Sequence, residues 1–334
     1  MPEELVVVLV LFSIILQIKS QLNPVAPPYG QLQVIGTKLC GSNGQPVQLR
    51  GMSLNPWQEQ YYTAQTVSFL KYSFNSNVVR AAMSTDGWGG YLTSSDNFAQ
   101  WNQNMQTVIE AAINNGIYVI VDWHGTGTGY ANNASNFFWG ISSKYSQYPH
   151  IIYEIWNEPT NPYTWQNVTD YAYQVIWNIR YNDKNNVIVI GTPNWSQDVD
   201  VAAQAPIGGY NNIAYTLHYY AASHGQWLMD KATTAINKGL CLFITEYGTV
   251  NADGGGAINY TESWAWWNYA DQNLLSYVNW DVGNGDGTVS GTGSGSSIFL
   301  SNTQTWQIWN SSFWSATGNM VHDKYQQTNQ GLYG

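Results

Sequence analysis

Short apolar runs rich in β-branched residues recur along the chain and are separated by longer segments of mixed character. Residues 151–155 read Ile-Ile-Tyr-Glu-Ile, and residues 187–191 read Val-Ile-Val-Ile-Gly. Runs of this length and composition predict β-strands. Eight of them follow one another, at residues 46–52, 77–82, 118–123, 151–155, 187–191, 213–218, 242–245 and 277–280.

Segments with a helical spacing of apolar residues lie between these runs, for example at residues 101–115, 167–182 and 226–238. Eight strands that alternate with helices predict an α/β fold of the (β/α)8 type, a TIM barrel. The strand runs are apolar on both faces, which is typical of parallel strands covered by helices. We expect a small N-terminal hairpin around Cys40 at the bottom of the barrel and a closing helix at residues 316–327. The Gly-rich stretch 283–297 is expected to form a loop above the strand ends.

Polar and aromatic residues cluster at the C-terminal ends of the predicted strands, where barrel enzymes place their active sites. Two carboxylates are conspicuous because only 10% of the residues are charged: Glu158 in Ile-Trp-Asn-Glu-Pro and Glu246 in Thr-Glu-Tyr-Gly. A carboxylate beside a buried strand is costly. The pair therefore indicates either structural carboxylates bound by Arg or backbone amides, or the acid and nucleophile of an enzyme that cleaves sugar chains. The other candidates at this rim are Arg80, His124, Asn157, His218, Tyr220 and Trp280.

The composition narrows the range of partners. A formal net charge of −10 repels phosphate backbones and anionic lipid surfaces, so we expect neither nucleic acid nor membrane as a partner. Aromatic residues make up 15% of the chain, which suits a cleft that stacks rings on sugars, although most rings pack the core. We expect one catalytic domain at residues 21–334, monomeric and without a carbohydrate-binding module.

The N-terminus predicts export. An apolar run at residues 5–16 ends near Lys19 and Ser20, and we interpret residues 1–20 as a signal peptide, although two glutamates replace the usual basic residues. Sequons at Asn133, Asn167, Asn259 and Asn310 agree with a secreted, extracellular protein. Cys40 and Cys241 are either a disulfide between the hairpin and a strand or two free buried thiols.

Eight motifs occur in order along the chain. They are Val-Gln-Leu-Arg-Gly-Met-Ser at 47–53, Ser-Asn-Val-Val-Arg-Ala-Ala-Met at 76–83, Val-Ile-Val-Asp-Trp-His at 119–124, Ile-Tyr-Glu-Ile-Trp-Asn-Glu-Pro at 152–159, Gly-Thr-Pro-Asn-Trp-Ser-Gln-Asp-Val-Asp-Val at 191–201, Leu-His-Tyr-Tyr at 217–220, Ile-Thr-Glu-Tyr-Gly at 244–248 and Val-Asn-Trp at 278–280. In order and spacing this set resembles family five glycoside hydrolases, in particular the secreted β-1,4-endoglucanases of bacterial and invertebrate type. The resemblance covers nearly everything after residue 30.

The resemblance implies a role for each candidate. Glu158 corresponds to the general acid/base and Glu246 to the nucleophile of a retaining mechanism without a cofactor. Arg80 would keep Glu246 ionised, and the charge of Glu246 is expected to raise the pKa of Glu158. The remaining residues would bind the sugar: Asn157 at the 2-hydroxyl, His124, His218 and Tyr220 around the ring and the nucleophile, and Trp280, Trp195 and Trp57 as stacking platforms. His224 matches less well and is equally compatible with a helix cap.

Three positions depart from the bacterial pattern: Asn55 in place of His, Ser84 in place of Tyr and Gly285 in place of Lys. Because these positions concern substrate binding, the preferred polymer stays open between cellulose and mannan, xyloglucan or mixed-linkage glucan. A transglycosylase and a sugar-binding barrel without activity are further alternatives, the latter disfavoured because both carboxylates are present. Five scattered His and no His-Glu-x-x-His motif predict no metal site.

Overall fold

The computed structural model describes residues 22–87, 89–127, 129–285 and 295–329. The predicted signal peptide, residues 1–20, lies outside the described residues. The same holds for residues 286–294, the centre of the predicted Gly-rich loop.

Eight parallel strands close into a barrel, which confirms the predicted fold class. They are β3 (Arg50–Leu54), β4 (Val78–Ser84), β5 (Tyr118–His124), β6 (Ile151–Glu154), β7 (Val187–Ile190), β8 (Ile213–Tyr220), β9 (Leu242–Gly248) and β10 (Ser276–Val282). Each strand pairs with the next in sequence, and β10 pairs with β3 to close the ring. Each of the eight predicted runs overlaps one of these strands.

Helices surround the barrel. They are α1 (Ala64–Tyr72), α2 (Ser95–Asn115), α3 (Ala131–Tyr145), α4 (Trp165–Asn182), α5 (Pro193–Ser196), α6 (Val199–Ala202), α7 (Gln226–Asn237), α8 (Tyr260–Asn273) and α9 (Ala316–Thr328). Helix α2 begins six residues before the predicted 101–115 because Ser94 caps its polar first turn, accepting from the N–H of Asn97. The periodicity of apolar residues does not register such a turn. The predicted closing helix corresponds to α9.

A hairpin seals the bottom of the barrel, as predicted. It consists of β1 (Gln33–Ile35) and β2 (Lys38–Cys40), which pair antiparallel. Leu32 and Leu39 pack in one buried cluster with residues near the N-terminal ends of the strands, such as Val78 and Val187. The interior below the strand ends is therefore filled by apolar side chains, and the polar chemistry is confined to the opposite end.

Cys40 and Cys241 belong to this same buried cluster and are free thiols in the structure. Burial, with a smaller contribution from Cys40, raises the pKa of Cys241 to about 12. Of the two alternatives left open by the sequence, the structure has the pair of buried thiols. No helix within the described ranges has the length and apolar character needed to cross a membrane.

Candidate active site

A cleft of about 410 Å³ opens at the C-terminal ends of the strands. Eight of the nine predicted site residues line it: His124, Asn157, Glu158, Trp195, His218, Tyr220, Glu246 and Trp280. The ninth, Arg80 on β4, is fully buried and lies beneath the cleft, where it contacts Glu246 and Asn157. The apolar runs thus placed the strand ends correctly, and the barrel brings residues from distant segments together.

The two candidate catalytic carboxylates lie close to one another. Glu246 is on β9, and Glu158 follows β6. One carboxylate oxygen of each, together with a ring nitrogen of His218, falls within a span of 4.8 Å. Retaining glycosidases separate their carboxyl groups by about 5 to 5.5 Å, whereas inverting enzymes need about 6.5 to 9.5 Å to admit a water. The spacing therefore fits retention.

Glu246 is oriented by two hydrogen bonds. Nη1 of Arg80 donates to Oε2 at 2.9 Å, and the hydroxyl of Tyr220 donates to Oε1 at 2.7 Å. With both oxygens bound and its side chain only 6% exposed, Glu246 has a fixed position and a cationic neighbour. Both features suit a nucleophile that must stay ionised and aligned.

Arg80 contacts two further carboxylates that were not assigned from the sequence. Its Nε donates to Oε2 of Glu154 at 2.7 Å, and its Nη2 lies 2.9 Å from Oδ2 of Asp122. Both acids are fully buried. The same signal that identified Glu158, a carboxylate within an apolar strand, was present at both positions and could have found them.

The pKa values of Glu154 and Asp122 are shifted in opposite directions. Burial opposes ionisation of Glu154, but the guanidinium of Arg80 and the nearby imidazole of His218 prevail and lower the pKa of Glu154 to about 2. For Asp122, burial prevails over Arg80, and the neighbouring Glu154 adds to it, so the pKa of Asp122 is raised well above its usual value. Neighbouring carboxylates around one guanidinium disfavour one another's ionisation, because like charges repel at this distance.

Glu158 forms a pair with His218. Its Oε1 lies 2.9 Å from Nδ1 of His218. Burial disfavours both charges, but the surrounding acids Glu246, Glu154 and Glu158 raise the pKa of His218 to about 9. The hydrogen bond to His218 in turn lowers the pKa of Glu158 in spite of burial. The expectation of a raised pKa for Glu158 was therefore wrong, because the hydrogen bond with His218 favours the ionised form of this carboxyl group.

Aromatic rings form the walls of the cleft. Trp280 stacks on His124, with ring centres 5.2 Å apart and planes 5° from parallel, and Trp57 meets both rings edge-on. At the other side Trp195 lies in α5 in a left-handed turn, with φ of 57°, and is 48% exposed. Such a conformation is uncommon for a bulky residue and holds this ring out into the cleft.

Two of the histidines are neutral. Burial and Arg80 lower the pKa of His124 to about 4, although Nδ1 contacts Asp122 at 2.8 Å. Burial likewise lowers the pKa of His224 to about 4, and its Nδ1 accepts a hydrogen bond from the N–H of Tyr220 at 2.8 Å. His224 therefore lines the cleft and also secures the loop after β8.

The three positions that depart from the bacterial pattern, Asn55, Ser84 and Gly285, have distinct surroundings in the structure. Asn55 does not line the cleft: it donates to Asp281, and its Oδ1 accepts from the N–H of Trp57 at 2.9 Å, so it supports the Trp57 loop. Ser84 is buried at the end of β4. The N–H of Gly285 donates to Ser297 at 3.2 Å. Neither residue supplies the side chain that the bacterial pattern has there.

The loops add cleft residues that strand periodicity gave no means of locating. They are Thr126, Gln197, Ala252, Asp253 and Gly254.

Within the part of the chain that the structure describes, one group of three side chains offers donor atoms to a common ion: Glu158, His218 and Glu246. Hydrogen bonds from Arg80 and Tyr220 already occupy Glu246, and His218 and Glu158 bind one another. A cation would have to displace these contacts next to the charged Arg80, so we assign no metal here. The absence of a cofactor stays a prediction.

The comparisons with known proteins agree with this geometry. The family model for cellulase, glycosyl hydrolase family 5, matches residues 40–286. The chain belongs to this family. It is 45% identical over 231 residues to endoglucanase Z of Dickeya dadantii, covering 68% of this chain and 53% of that protein. It is 40% identical over 258 residues to an endoglucanase of Clostridium saccharobutylicum, covering 75% of this chain and 56% of that protein.

The family 5 chain thus spans about half the length of the curated relatives that it matches. Among solved structures, it resembles the catalytic domain of a Thermobifida fusca endoglucanase variant in complex with cellotetraose. The TM-score is 0.81 at 30% identity, covering 90% of this chain and 100% of that one. The barrel described above is accordingly a family 5 glycoside hydrolase fold.

Proposed function

We propose that this protein is a retaining endo-β-1,4-glucanase that hydrolyses internal bonds of cellulose and related β-glucans. The observation that carries the proposal is the placement of Glu158 and Glu246, whose oxygens lie within 4.8 Å at the floor of the cleft. Family membership supports the same chemistry. The alternative of two structural carboxylates is disfavoured because both reach a cleft lined by aromatic rings.

In the first step an oxygen of Glu246 attacks the anomeric carbon while Glu158 protonates the departing glycosidic oxygen. A covalent glycosyl-enzyme results. Glu158, now a carboxylate, then takes a proton from water, which attacks the same carbon and releases Glu246. Retention of configuration follows from the two successive displacements.

The remaining site residues bind and orient the sugar. Nη2 of Arg80 donates to Oδ1 of Asn157 at 2.6 Å, which fixes the amide and leaves its Nδ2 as a donor for the 2-hydroxyl of the reacting sugar. A hydrogen bond to this hydroxyl strengthens in the oxocarbenium-like transition state. Trp280 is the platform beneath the reacting sugar, with His124 stacked against it. Trp195 and Trp57 extend the aromatic surface to either side.

The substrate class rests on the relatives. Cellotetraose is bound by the Thermobifida fusca variant, and the curated relatives carry the name endoglucanase. Mannan, xyloglucan or mixed-linkage glucan would be cleaved by the same pair of carboxylates, and transglycosylation differs only in the acceptor that resolves the intermediate. The departures at Asn55, Ser84 and Gly285 are the reason to measure the preference directly.

Initial rates of reducing-end release decide the function. Carboxymethylcellulose, β-mannan and mixed-linkage glucan are compared side by side, with Glu246→Gln as the blank. Cleavage of the glucans in preference to mannan supports the proposal. Preference for mannan would replace the substrate, and no release from any polymer would refute the hydrolase in favour of a binding protein or transglycosylase.

The same proposal includes export: residues 1–20 act as a signal peptide, and residues 21–334 form a single, monomeric catalytic domain outside the cell. Support comes from the apolar run at residues 5–16 and from the exposed sequon asparagines Asn133, Asn167, Asn259 and Asn310. Expression in a secreting host followed by N-terminal sequencing tests it. A medium fraction that starts near residue 21 is expected, and retention of Met1 in the cell would contradict it.

A further inference from the structure

Strand β9 carries an extra residue beside the active site. Thr216 and His218, two residues apart on β8, pair with Phe243 and Glu246, which are three residues apart on β9. The pairing of β9 with β10 also leaves one extra residue in β9, between Ile244 and Tyr247. This is a β-bulge, which re-aims side chains next to active sites. As a result, Thr245 and Glu246 both contact groups at the barrel interior instead of pointing to opposite sides.

The hydroxyl of Thr245 joins two groups that the catalytic roles do not explain. Oγ1 lies 2.6 Å from Oε1 of Glu154 and 2.9 Å from Nε2 of His218. Nε2 and Oε1 are themselves 3.7 Å apart, so the hydroxyl lies between an imidazole and a carboxylate. Thr245, Glu154 and His218 are all buried.

The hydrogens of this chain of contacts have one consistent arrangement. Because the pKa of Glu154 is lowered to about 2, its carboxylate only accepts, and the single proton of the Thr245 hydroxyl points to it. The hydroxyl oxygen must then accept from His218, which requires a proton on Nε2. Nδ1 is left facing Oε1 of Glu158 at 2.9 Å. The hydrogen bond made by Nε2 thereby determines whether Nδ1 can donate to Glu158.

We propose that Glu154, acting through the hydroxyl of Thr245, is a positioning residue that keeps Nε2 of His218 protonated, so that His218 and Glu158 share one exchangeable proton and act as a single acid/base unit. The proposal rests on the hydrolytic function above and adds Glu154 and Thr245 to it. Neither residue touches the sugar.

The His218/Glu158 unit donates one proton in the first step of the reaction and receives one in the second. As Glu246 attacks the anomeric carbon, the electrons of the glycosidic bond pass to the leaving oxygen, which takes the shared proton from the His218/Glu158 unit. Glu158 is then a carboxylate beside a neutral His218 whose Nε2–H still donates to Thr245. When water attacks the glycosyl-enzyme, its proton returns to the unit and Glu246 departs as a carboxylate.

Several charged or titratable groups surround His218, and its charge depends on all of them. They are Glu154 on β6, Glu158 after β6, Glu246 on β9, Asp122 on β5, Arg80 on β4 and His224 after β8. A substitution that removes one hydrogen bond to His218 is therefore easier to interpret than a substitution that removes one of these charges. In Thr245→Val the carboxylate of Glu154 keeps its two bonds from Arg80, and only the connection to His218 is lost.

The first experiment observes His218 without substrate. The imidazole nitrogens are titrated by NMR in the wild type and in three variants: Thr245→Val, Thr245→Ser and Thr216→Val. Thr216 is a matched control because it is buried on the neighbouring strand and its hydroxyl has no partner among the described residues. The surrounding acids raise the pKa of His218 to about 9, and this pKa is expected to fall by about one unit or more in Thr245→Val, because a hydrogen bond that stabilises the charged imidazole is lost. Thr245→Ser and Thr216→Val should keep the wild-type value.

The second experiment follows the alkaline limb of kcat/KM for the same proteins. Loss of the last proton from the His218/Glu158 unit ends acid catalysis, so a lower pKa moves this limb to lower pH in Thr245→Val, and Thr245→Ser restores it. Dinitrophenyl cellobioside, whose leaving group needs no proton, should show a smaller shift.

The same pKa of His218 in the wild type and in Thr245→Val would overturn the proposal, whether or not the enzymatic rates differ. A protein without activity on any β-glucan but with the expected NMR shift would instead overturn the hydrolase function and leave the connection between Glu154 and His218 intact.

Discussion

Arg80 contacts three carboxylates at once, Asp122, Glu154 and Glu246, and each contact limits what the others do. One cation cannot balance three buried anions equally, so the pKa of Asp122 is raised well above its usual value while that of Glu154 is lowered to about 2. The hydrogen bonds from Arg80 and Tyr220 hold Glu246 in the position that the proposed nucleophilic attack requires. At the residue scale, neighbouring groups therefore give chemically similar carboxyl groups different pKa values.

Replacement of Glu158 tests the assignment of the acid/base. Glu158→Ala should lose about 10³-fold or more in activity on glucan polymers, because neither leaving group nor water is then assisted. Azide should restore part of the rate with an activated cellobioside and give a β-glycosyl azide, identified by NMR. Glu246→Ala is the matched control, since azide there attacks the sugar directly and gives the α-glycosyl azide. An α product from Glu158→Ala would show that the roles are reversed.

At the element scale, the strands could be predicted because each is a short apolar run whose polar residues come at its end. That pattern located Glu158, Glu246 and six further site residues, whereas Trp195 was found only through the family resemblance. It did not reveal Thr245 as part of the site, because a bulge depends on how β9 pairs with both neighbours, which one strand does not disclose. Nor did it give the turn that presents Trp195, since residues 194–196 adopt left-handed dihedrals without a glycine.

The contribution of Trp195 to substrate binding can be tested by substitution. Trp195→Ala should raise KM for soluble glucan about threefold to tenfold, since an aromatic contact is worth about 0.5–1.5 kcal/mol, and leave the melting temperature nearly unchanged because the ring is half exposed. Trp306→Ala is the matched control: this ring is 71% exposed and does not line the cleft. Equal KM values for the two variants would remove Trp195 from the binding surface.

At the scale of the whole molecule, the barrel separates stability from chemistry. The hairpin and the lower strand positions form an apolar plug, whereas charges gather at the upper end. Alternating strands and helices predicted this division, because a closed parallel barrel has one end where strands begin and one where they finish. The sequence could not decide between thiols and a disulfide for Cys40 and Cys241, which depends on how the hairpin docks.

The buried Asp281 links the stability of the whole molecule to pH. Burial raises its pKa from 3.8 to about 7, although hydrogen bonds from Asn55 and Ser297 oppose the shift. Between about pH 4 and 7 the folded protein keeps a proton that the unfolded chain has released, so this group makes stability fall as pH rises through that window. Melting temperatures of the wild type and Asp281→Asn, measured from pH 4 to 7.5, should therefore diverge in favour of the variant at the higher pH. A difference that is constant with pH would contradict this account.

The configuration of the first product distinguishes the proposed double displacement by Glu246 and Glu158 from a single displacement by water. The wild-type protein is mixed with a cellooligosaccharide, and the anomeric proton of the new reducing end is followed by NMR before mutarotation. With a covalent intermediate on Glu246, the β-anomer is expected to form first and the α-anomer to appear only later. Initial formation of the α-anomer would mean a single displacement by water, and Glu246 would then not be a covalent nucleophile.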